Sequence, residues 1–220
     1  MKKVIATPYI DQTRRYPTGC ESVSAVMLLQ YLGIPLGVDD FIERYLKKEP
    51  MIIREGRLYG PDPFRCFAGS PYDSDSFGCY PPVIVDAMNR VFADVQPERR
   101  AVDVTGMPMG ELLERFIDRD LPVVFWASLD LKETVPGPEW YLRDGTKFSW
   151  ISNEHCMLLV GYDEEAYYFQ DPWMNHGCVG YPKGIVEKRH GEQREMAVVA
   201  MRRQEEAVAE GVGSRLCSLD

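Results

Sequence analysis

Apolar residues in the first part of the chain recur with the spacing of helices. Residues 19–32 are mostly apolar on every side and are followed by Gly33 and Pro35, which end helices. A helix that is apolar all round is buried, so this pattern predicts a helix in the interior. Residues 38–48 open with two aspartates, which suit the positive end of a helix dipole, and predict a second helix.

Residues 50–82 break this pattern. They are rich in glycine, proline, aspartate and aromatic side chains, and they predict a long ordered loop. Loops of this length in compact domains tend to be functional, so we expect this one to form a wall or lid of a site. Beyond it, residues 82–92 and 106–118 predict two amphipathic helices, with a short strand at residues 101–104 between them.

The second half of the chain has the pattern of strands. Short apolar or alternating runs, bounded by turn residues, predict strands at residues 123–129, 156–161, 166–170 and 196–202. Helices first and strands later indicate an α+β fold, in which a helical N-terminal part packs against a C-terminal antiparallel sheet. We expect one domain over residues 1–203 and a flexible polar tail over residues 204–220.

The charge and the length of the apolar runs exclude two classes of partner. The chain has 25 Lys and Arg against 34 Asp and Glu, a net charge of −9, which argues against a nucleic-acid-binding face. No apolar run reaches the roughly 18 residues that a membrane span needs. Residues 1–12 lack the apolar core of a secretory signal. We therefore expect a cytoplasmic protein from the sequence as written, or an extracellular or cell-surface one if a signal was removed.

The cysteines do not follow a metal-binding pattern. Six cysteines are scattered along the chain without a C-x-x-C pair, which argues against a structural zinc site. Cys66 and Cys79 flank a segment rich in glycine, serine and aspartate and could pair in an oxidising compartment. The sequence has no glycine-rich phosphate loop and no histidine or carboxylate cluster with metal-ligand spacing. We expect neither a cofactor nor a metal.

One cysteine has the setting of a nucleophile. Cys20 follows Thr18 and Gly19 and opens the predicted buried helix. The free amides and the dipole at a helix N-terminus favour a thiolate, which is the reactive form of cysteine. The alternative is that Cys20 is one more small buried residue, as free cysteines usually are.

A histidine and an aspartate lie where a hairpin would join them. His155 begins an apolar run and Asp171 ends the next one. In an antiparallel hairpin with its turn near Asp163 and Glu164, the two residues become neighbours. Together with Cys20 they form the pattern in which the histidine takes the thiol proton and the carboxylate fixes the histidine tautomer. Each residue taken alone is more often structural.

The remaining histidines look less suited to catalysis. His176 lies in an Asn-His-Gly turn, and His190 lies in a charged segment. We expect both side chains to be solvated.

Three blocks of sequence occur in a familiar order. They are residues 8–12 with 16–24 and 32–33, residues 67–72 with 77–82, and residues 155–173. These blocks resemble papain-like cysteine peptidases of the bacteriocin-processing, double-glycine type, and especially the stand-alone relatives of those bacterial enzymes. The resemblance covers about residues 5–202.

The resemblance implies a papain-like fold with the nucleophile on a central helix. By position, Cys20 would be the nucleophile, His155 the general base and acid, and Asp171 the residue that orients His155. Gln12 would be the oxyanion donor, a kind of group whose loss typically costs about 10²–10³ in kcat. Gln12 lies eight positions before Cys20, so the residues between them would have to bulge.

The leading hypothesis is a cysteine peptidase that cleaves a peptide bond, or a related amide, through an acyl-enzyme. Its partner would be a peptide or protein substrate. Two alternatives stay open at this point. The same fold could serve as a catalytically silent module that binds a peptide or a partner domain, or the same triad could transfer an acyl group to an amine, since a fold does not fix a function.

Overall fold

The computed structural model describes residues 2–204, so the predicted tail lies outside the described residues from residue 205 onward. The first four helices follow the predicted order. The helices are α1 (Cys20–Tyr31), α2 (Val38–Arg44), α3 (Pro81–Val95), α4 (Met109–Arg115) and α5 (Lys183–Glu192), with 3₁₀ turns at Ile117–Arg119 and Leu129–Leu131.

Short strands make up much of the remaining structure. They are β1 (Lys3–Val4), β2 (Lys48–Glu49), β3 (Ile52–Arg54), β4 (Arg57–Tyr59), β5 (Phe67–Ala68), β6 (Arg99–Asp103), β7 (Val123–Ser128), β8 (Val135–Tyr141), β9 (Lys147–Ser152), β10 (Glu154–Tyr162), β11 (Ala166–Asp171), β12 (Gly177–Pro182) and β13 (Ala197–Arg202). The main sheet is antiparallel, with the order β12, β11, β10, β7, β13, β6, and β1 pairs with the end of β10. The predicted α+β fold with an antiparallel sheet is confirmed.

Helices cover both faces of the main sheet. Phe125 and Trp126 are neighbours in β7, so their side chains point to opposite faces. The Phe125 ring stacks on His190 of α5, whereas the Trp126 indole donates to the carbonyl of Cys79, which comes just before α3. Helix α1 lies on the Trp126 side, where the Ser24 hydroxyl donates to a carbonyl of β10. The buried helix predicted from its apolar pattern is therefore central, as expected.

The predicted loop at residues 50–82 is wrong in part. It contains the hairpin of β3 and β4, which joins β8 and β9 in a separate four-stranded sheet. Glu55 and Gly56 form the turn of this hairpin, and both have positive φ angles, 50° and 72°. Two-residue turns of that geometry match the twist of paired strands. Gly56 was therefore the signal in the sequence that could have indicated this hairpin. Helix α2 also ends at Arg44, before the predicted residue 48.

The aromatic residues of this segment pack against one another. Tyr80 stacks on Trp150 with ring centroids 5.3 Å apart, and Phe77 lies 4.8 Å from Trp140. Tyr80 and Trp140 are buried, with relative exposures of 0% and 1%. These rings hold the four-stranded sheet against the segment that leads into α3.

Besides the short strands β1 to β5, the elements that were not predicted are β8, β9, β12 and α5. Strand β8 contains Pro136 and Pro138, which normally argue against a strand, and its pairing with β9 is irregular between Pro136 and Glu139. Helix α5 is polar and contains Gly184 and Gly191, which weaken a helical pattern. Local sequence therefore gave little sign of either element.

The cysteines within residues 2–204 are all free thiols, so Cys66 and Cys79 do not pair. None of the helices in that part of the chain combines the length and the apolar character needed to cross a membrane.

Candidate active site

The start of α1 is fixed by a close chain approach. Gly19 precedes Cys20, and a Cβ on Gly19 would lie 2.9 Å from the Tyr16 Cβ and 3.1 Å from the Pro71 Cβ. A side chain at position 19 would therefore push these segments apart. The Thr18 hydroxyl donates to the carbonyl of Ser70 at 3.2 Å, which ties the same loop to the helix start.

The hairpin of β10 and β11 joins the predicted histidine and aspartate. Its strands pair Leu158 with Gln170, so Asp171 comes opposite Met157, two residues from His155 and on the same face of the sheet. The Nε2 atom of His155 lies 2.8 Å from Oδ1 of Asp171, and both side chains are 2% exposed. The contact expected from hairpin geometry is therefore present.

The charge on Asp171 determines the protonation of this pair. Burial by itself would raise the pKa of Asp171, but the hydrogen bonds from His155 and Tyr181 outweigh it and hold the pKa below its usual range. Ionised Asp171 can only accept hydrogen bonds, so Nε2 of His155 carries a proton. In the neutral ring, Nδ1 of His155 is then the basic nitrogen.

Three further groups hold the Asp171 carboxylate. The backbone N–H of Trp173 donates to Oδ1 at 3.0 Å, and the Tyr181 hydroxyl donates to Oδ2 at 2.7 Å. The Nδ1 atom of His176 also lies 3.1 Å from Oδ2, and its side chain is 32% exposed. His176 is exposed, as expected, and the turn between β11 and β12 also brings its ring to the carboxylate.

The same expectation is wrong for His190. His190 is 2% exposed. Its ring stacks on Phe125 with centroids 3.8 Å apart, and its Nδ1 lies 2.7 Å from the carbonyl of Trp126. Burial lowers the pKa of His190 to about 4, and the backbone contact opposes that shift. His190 is a neutral core residue because α5 turns it inward onto the main sheet.

The surroundings of Cys20 differ from the predicted electropositive setting. Cys20 is 5% exposed, and its thiol donates to Oε2 of Glu21 at 3.3 Å. Burial, followed by the carboxyl groups of Glu21 and Glu154, raises the pKa of the thiol well above its ordinary value. The prediction of a thiolate favoured by the helix N-terminus is therefore wrong for this resting state, because desolvation and acidic neighbours outweigh the dipole.

The sulfur of Cys20 does not hydrogen-bond to the imidazole of His155 in the described residues. It lies beside the residues that flank His155: the Cys20 sulfur, a Glu21 oxygen and a Glu154 oxygen are within 4.8 Å of one another, and Cys156 affects the thiol pKa. Alternation along β10 turns these flanking side chains away from the side of His155. The chain thus brings the thiol to the histidine's strand without a hydrogen bond to its ring.

Cys20, Glu21 and Glu154 are also the kinds of donor that can coordinate a metal ion, since thiolate and carboxylate both bind zinc. Carboxylates and cysteines close together are not by themselves a metal site.

Gln12 is buried, at 2% exposure, and its Nε2 lies 3.3 Å from the carbonyls of both Tyr16 and Pro17. The backbone N–H groups of Arg15 and Tyr16 bond to the Gln12 carbonyl, so the predicted bulge before Cys20 forms as a tight turn. The Gln12 amide therefore lies close to the start of α1 with its donors directed to its own turn.

Two residues of this site were missed by sequence reasoning. Glu21 is a charged residue in a helix that is otherwise almost wholly uncharged, and that contrast was an available signal. The sequence contained no comparable signal for Tyr181, because its strand was not predicted and it contacts Asp171 only through the pairing of β11 with β12.

Known proteins resemble this chain along most of its length. The model of the Peptidase_C39 like family matches residues 4–198. A solved structure from Bacillus anthracis, described as that of a candidate C39-like peptidase, superposes with a TM-score of 0.78 and 26% sequence identity, over 92% of this chain and 98% of that one. No curated protein matches the chain significantly. Because the family match spans most of the sequence and the fold agrees over nearly its whole length, this chain belongs to the Peptidase_C39 like family.

Proposed function

We propose that the protein is a cysteine peptidase in which Cys20 is the nucleophile, His155 the general base and acid, and Asp171 the residue that orients His155. The buried hydrogen bond of 2.8 Å between His155 and Asp171 carries this proposal. It supplies an imidazole with a fixed tautomer on strand β10, against which α1 packs and beside which Cys20 and Glu21 lie. Membership of a peptidase-like family supports the same reading.

The reaction follows from these roles. The Cys20 thiol gives its proton to Nδ1 of His155, and the sulfur attacks the carbonyl carbon of the substrate to form a tetrahedral oxyanion. His155 then protonates the leaving amine as the C–N bond breaks, which leaves a thioester on Cys20. Water attacks the thioester with His155 again as base, and the acid product and the free thiol are released.

The thiol must move before the first step. In the resting site it donates to Glu21 and lies beside Glu154, on the other side of β10 from His155, so both the Cys20 side chain and the start of β10 have to rearrange when substrate binds. Such loose contacts in an unliganded site are common, because catalytic hydrogen bonds often tighten only in the complex.

The oxyanion would be held by two donors. The backbone N–H of Cys20 is at the first turn of α1, where amides have no partner within the helix. Gln12 is the second donor in this proposal, and its amide would exchange the carbonyls of Tyr16 and Pro17 for the oxyanion. An extended peptide would lie between the start of α1 and β10.

A second candidate function is a binding module that keeps the fold without turnover. The raised pKa of the Cys20 thiol and its hydrogen bond to Glu21 favour this alternative, because both keep the sulfur protonated. Acyl transfer to an amine uses the same groups and differs only in the acceptor.

A panel of peptides, some containing a Gly-Gly pair, tests these functions with and without an added amine acceptor. We expect cleavage or transfer by the wild type, and a loss of at least about 10³-fold in Cys20→Ser and in His155→Ala, the scale seen when a triad member is removed. Mass spectrometry of the products separates hydrolysis from transfer.

The matched control is Cys178→Ser, which changes an exposed free cysteine and should leave turnover unchanged. Turnover that persists in folded Cys20→Ser would contradict the assignment of the nucleophile. Binding of a peptide without any covalent change would favour the module.

A further inference from the structure

We propose that Glu21 is a positioning residue for the Cys20 thiol, and that its carboxylate holds the sulfur away from His155 until the site is rearranged. This inference rests on the proposed function only in taking Cys20 as the nucleophile. It concerns the state of the thiol before any substrate arrives.

Both carboxylate oxygens of Glu21 are occupied. Oε1 accepts the backbone N–H of Cys79 at 2.6 Å, and Oε2 accepts the Cys20 thiol at 3.3 Å. The residue is fully buried, at 0% exposure. A buried side chain held at one oxygen has little freedom at the other, so the position of the carboxylate sets the position of the sulfur.

The anchor of this carboxylate is itself fixed to the main sheet. The carbonyl of Cys79 accepts the indole N–H of Trp126 from β7 at 3.3 Å. The segment that holds Glu21 therefore cannot shift without breaking a contact to the centre of the fold.

Gly78 leaves the space that Glu21 occupies. A Cβ at position 78 would lie 2.4 Å from Oε1 of Glu21 and 3.3 Å from the Trp150 ring. Any side chain at this position would displace the carboxylate. Gly78 therefore helps to position the Glu21 carboxylate, although the two residues are far apart in the sequence.

The groups around the thiol and around Glu21 come from three segments and include two carboxyl groups. Glu21 belongs to α1, Glu154 and Cys156 to β10, and Cys79, whose backbone N–H donates to Glu21, to the segment before α3. Burial raises the pKa of Glu21 to about 7 and raises that of Glu154 as well. An ionised Glu21 opposes loss of the thiol proton, because it repels the thiolate and loses the hydrogen bond that the thiol donates.

The hydrogen bond to Glu21 therefore keeps the Cys20 thiol protonated and unreactive in the resting site. With Glu21 in place, the sulfur reacts slowly with small electrophiles, and it gains reactivity only when a substrate turns it away from the carboxylate. The general feature that makes a cysteine reactive, an electropositive and partly exposed setting, is absent from the resting site.

Alkylation of Cys20 by iodoacetamide, followed residue by residue with mass spectrometry between pH 6 and pH 9.5, tests this role. In Glu21→Gln the amide oxygen can still accept the Cys79 N–H, which leaves an amide N–H directed at the sulfur. We expect alkylation about tenfold faster at pH 7.5 and a rate profile displaced by about one pH unit toward lower pH. A shift of one unit in the thiol pKa changes the thiolate fraction about tenfold.

The control is Glu154→Gln, which removes the second carboxyl group and leaves the hydrogen bond between Glu21 and Cys20. We expect the alkylation rate of Cys20 to rise by about threefold or less, because this variant removes a carboxyl group and keeps the hydrogen bond to the thiol. Gly78→Ala is the second variant, for use if Glu21→Gln does not fold, and it should also accelerate alkylation by displacing the carboxylate. Thermal unfolding shows which variants are folded.

Equal rates and unchanged pH profiles in the wild type and Glu21→Gln, or an effect of Glu154→Gln as large as that of Glu21→Gln, would overturn the positioning role. The assay contains no peptide, so a chain without peptidase activity still answers it. If no peptide of the panel were cleaved or transferred, that result would contradict only the proposed function and would not affect the alkylation result.

Discussion

At the scale of single residues, Asp171 shows how a buried charge is kept in place. Its oxygens contact four groups, namely His155, the Trp173 N–H, His176 and Tyr181. Burying a carboxylate is costly unless hydrogen bonds replace its water, and here they do. The result is an aspartate that stays ionised and holds the His155 ring in one orientation.

The Tyr181 hydroxyl should contribute measurably to that arrangement. Tyr181→Phe removes the bond of 2.7 Å to Oδ2 of Asp171, and we expect a loss of about 1.5–3 kcal/mol in the free energy of unfolding, as for bonds to charged groups. Urea denaturation at pH 7 measures this loss. Tyr168→Phe removes a bond of 2.7 Å to the half-buried Asp163 and is the control, with a smaller expected effect. Equal losses in the two variants would count against a special role for Tyr181.

Sequence reasoning at this scale succeeded where the relation was local. His155 and Asp171 are separated by one hairpin, and alternation with a turn was enough to predict their contact. It failed for the setting of Cys20, because the carboxyl groups and the burial that raise its pKa depend on Glu154, far along the chain. The catalytic roles of Cys20, His155, Asp171 and Gln12 remain predictions for the peptide assays.

At the scale of elements, strand β10 organises the site. It pairs with β7, β11 and β1, carries His155 at its start, and packs against α1. At its far end Gly161 pairs with Val4, and a Cβ on Gly161 would lie 2.1 Å from the Lys3 carbonyl oxygen and 2.8 Å from the Val4 Cα. Backbone atoms cannot move aside as side chains can, so this contact requires glycine.

Gly161→Ala should therefore separate β1 from the sheet. We expect a loss of about 1–3 kcal/mol in the free energy of unfolding, the usual range for overpacking, and faster hydrogen exchange at the amides of β1. Gly184→Ala is the matched control, since nothing lies within 4 Å of a Cβ there and the residue is in α5. Its stability should be unchanged or slightly higher. If both variants were equally stable, the close approach of β1 and β10 would not be the reason for the glycine.

Prediction of elements from sequence depended on how regular each pattern was. The apolar runs that became β7, β10 and β11 were identified because apolar residues bounded by turns are typical of strands. Strands β8 and β9 were missed, since their aromatic residues pack on Phe77 and Tyr80 before α3 and their own pattern is not that of a regular strand.

At the scale of the whole molecule, buried groups such as Glu21 and His190 make stability depend on pH in opposite ways. Burial raises the pKa of Glu21 from 4.5 to about 7, so folded protein keeps a proton that the unfolded chain releases, and stability falls as pH rises between these values. Burial lowers the pKa of His190 from 6.5 to about 4, so stability falls as pH drops through that range. Each effect is worth about 3 kcal/mol when complete.

Glu21→Gln should therefore remove the contribution of Glu21 to this pH dependence. We expect the free energy of unfolding of the variant, relative to the wild type, to rise by about 3 kcal/mol between pH 4.5 and pH 7. Urea denaturation at half-unit steps of pH measures it. Glu114→Gln, on the exposed side of α4, is the control for loss of one negative charge and should show no such trend. Parallel pH profiles for Glu21→Gln and the wild type would refute the raised pKa of Glu21.

The sequence by itself determined the α+β class, the buried helix that begins at Cys20 and the hairpin that joins His155 to Asp171, because periodicity and turns act over short distances. Only the tertiary structure decided the protonation and direction of the Cys20 thiol. Glu154 and Cys79 reach Cys20 and Glu21 from distant parts of the chain, and desolvation exists only once the core has closed around them. Local patterns place residues on elements, whereas the electrostatics of a buried site belong to the packed molecule.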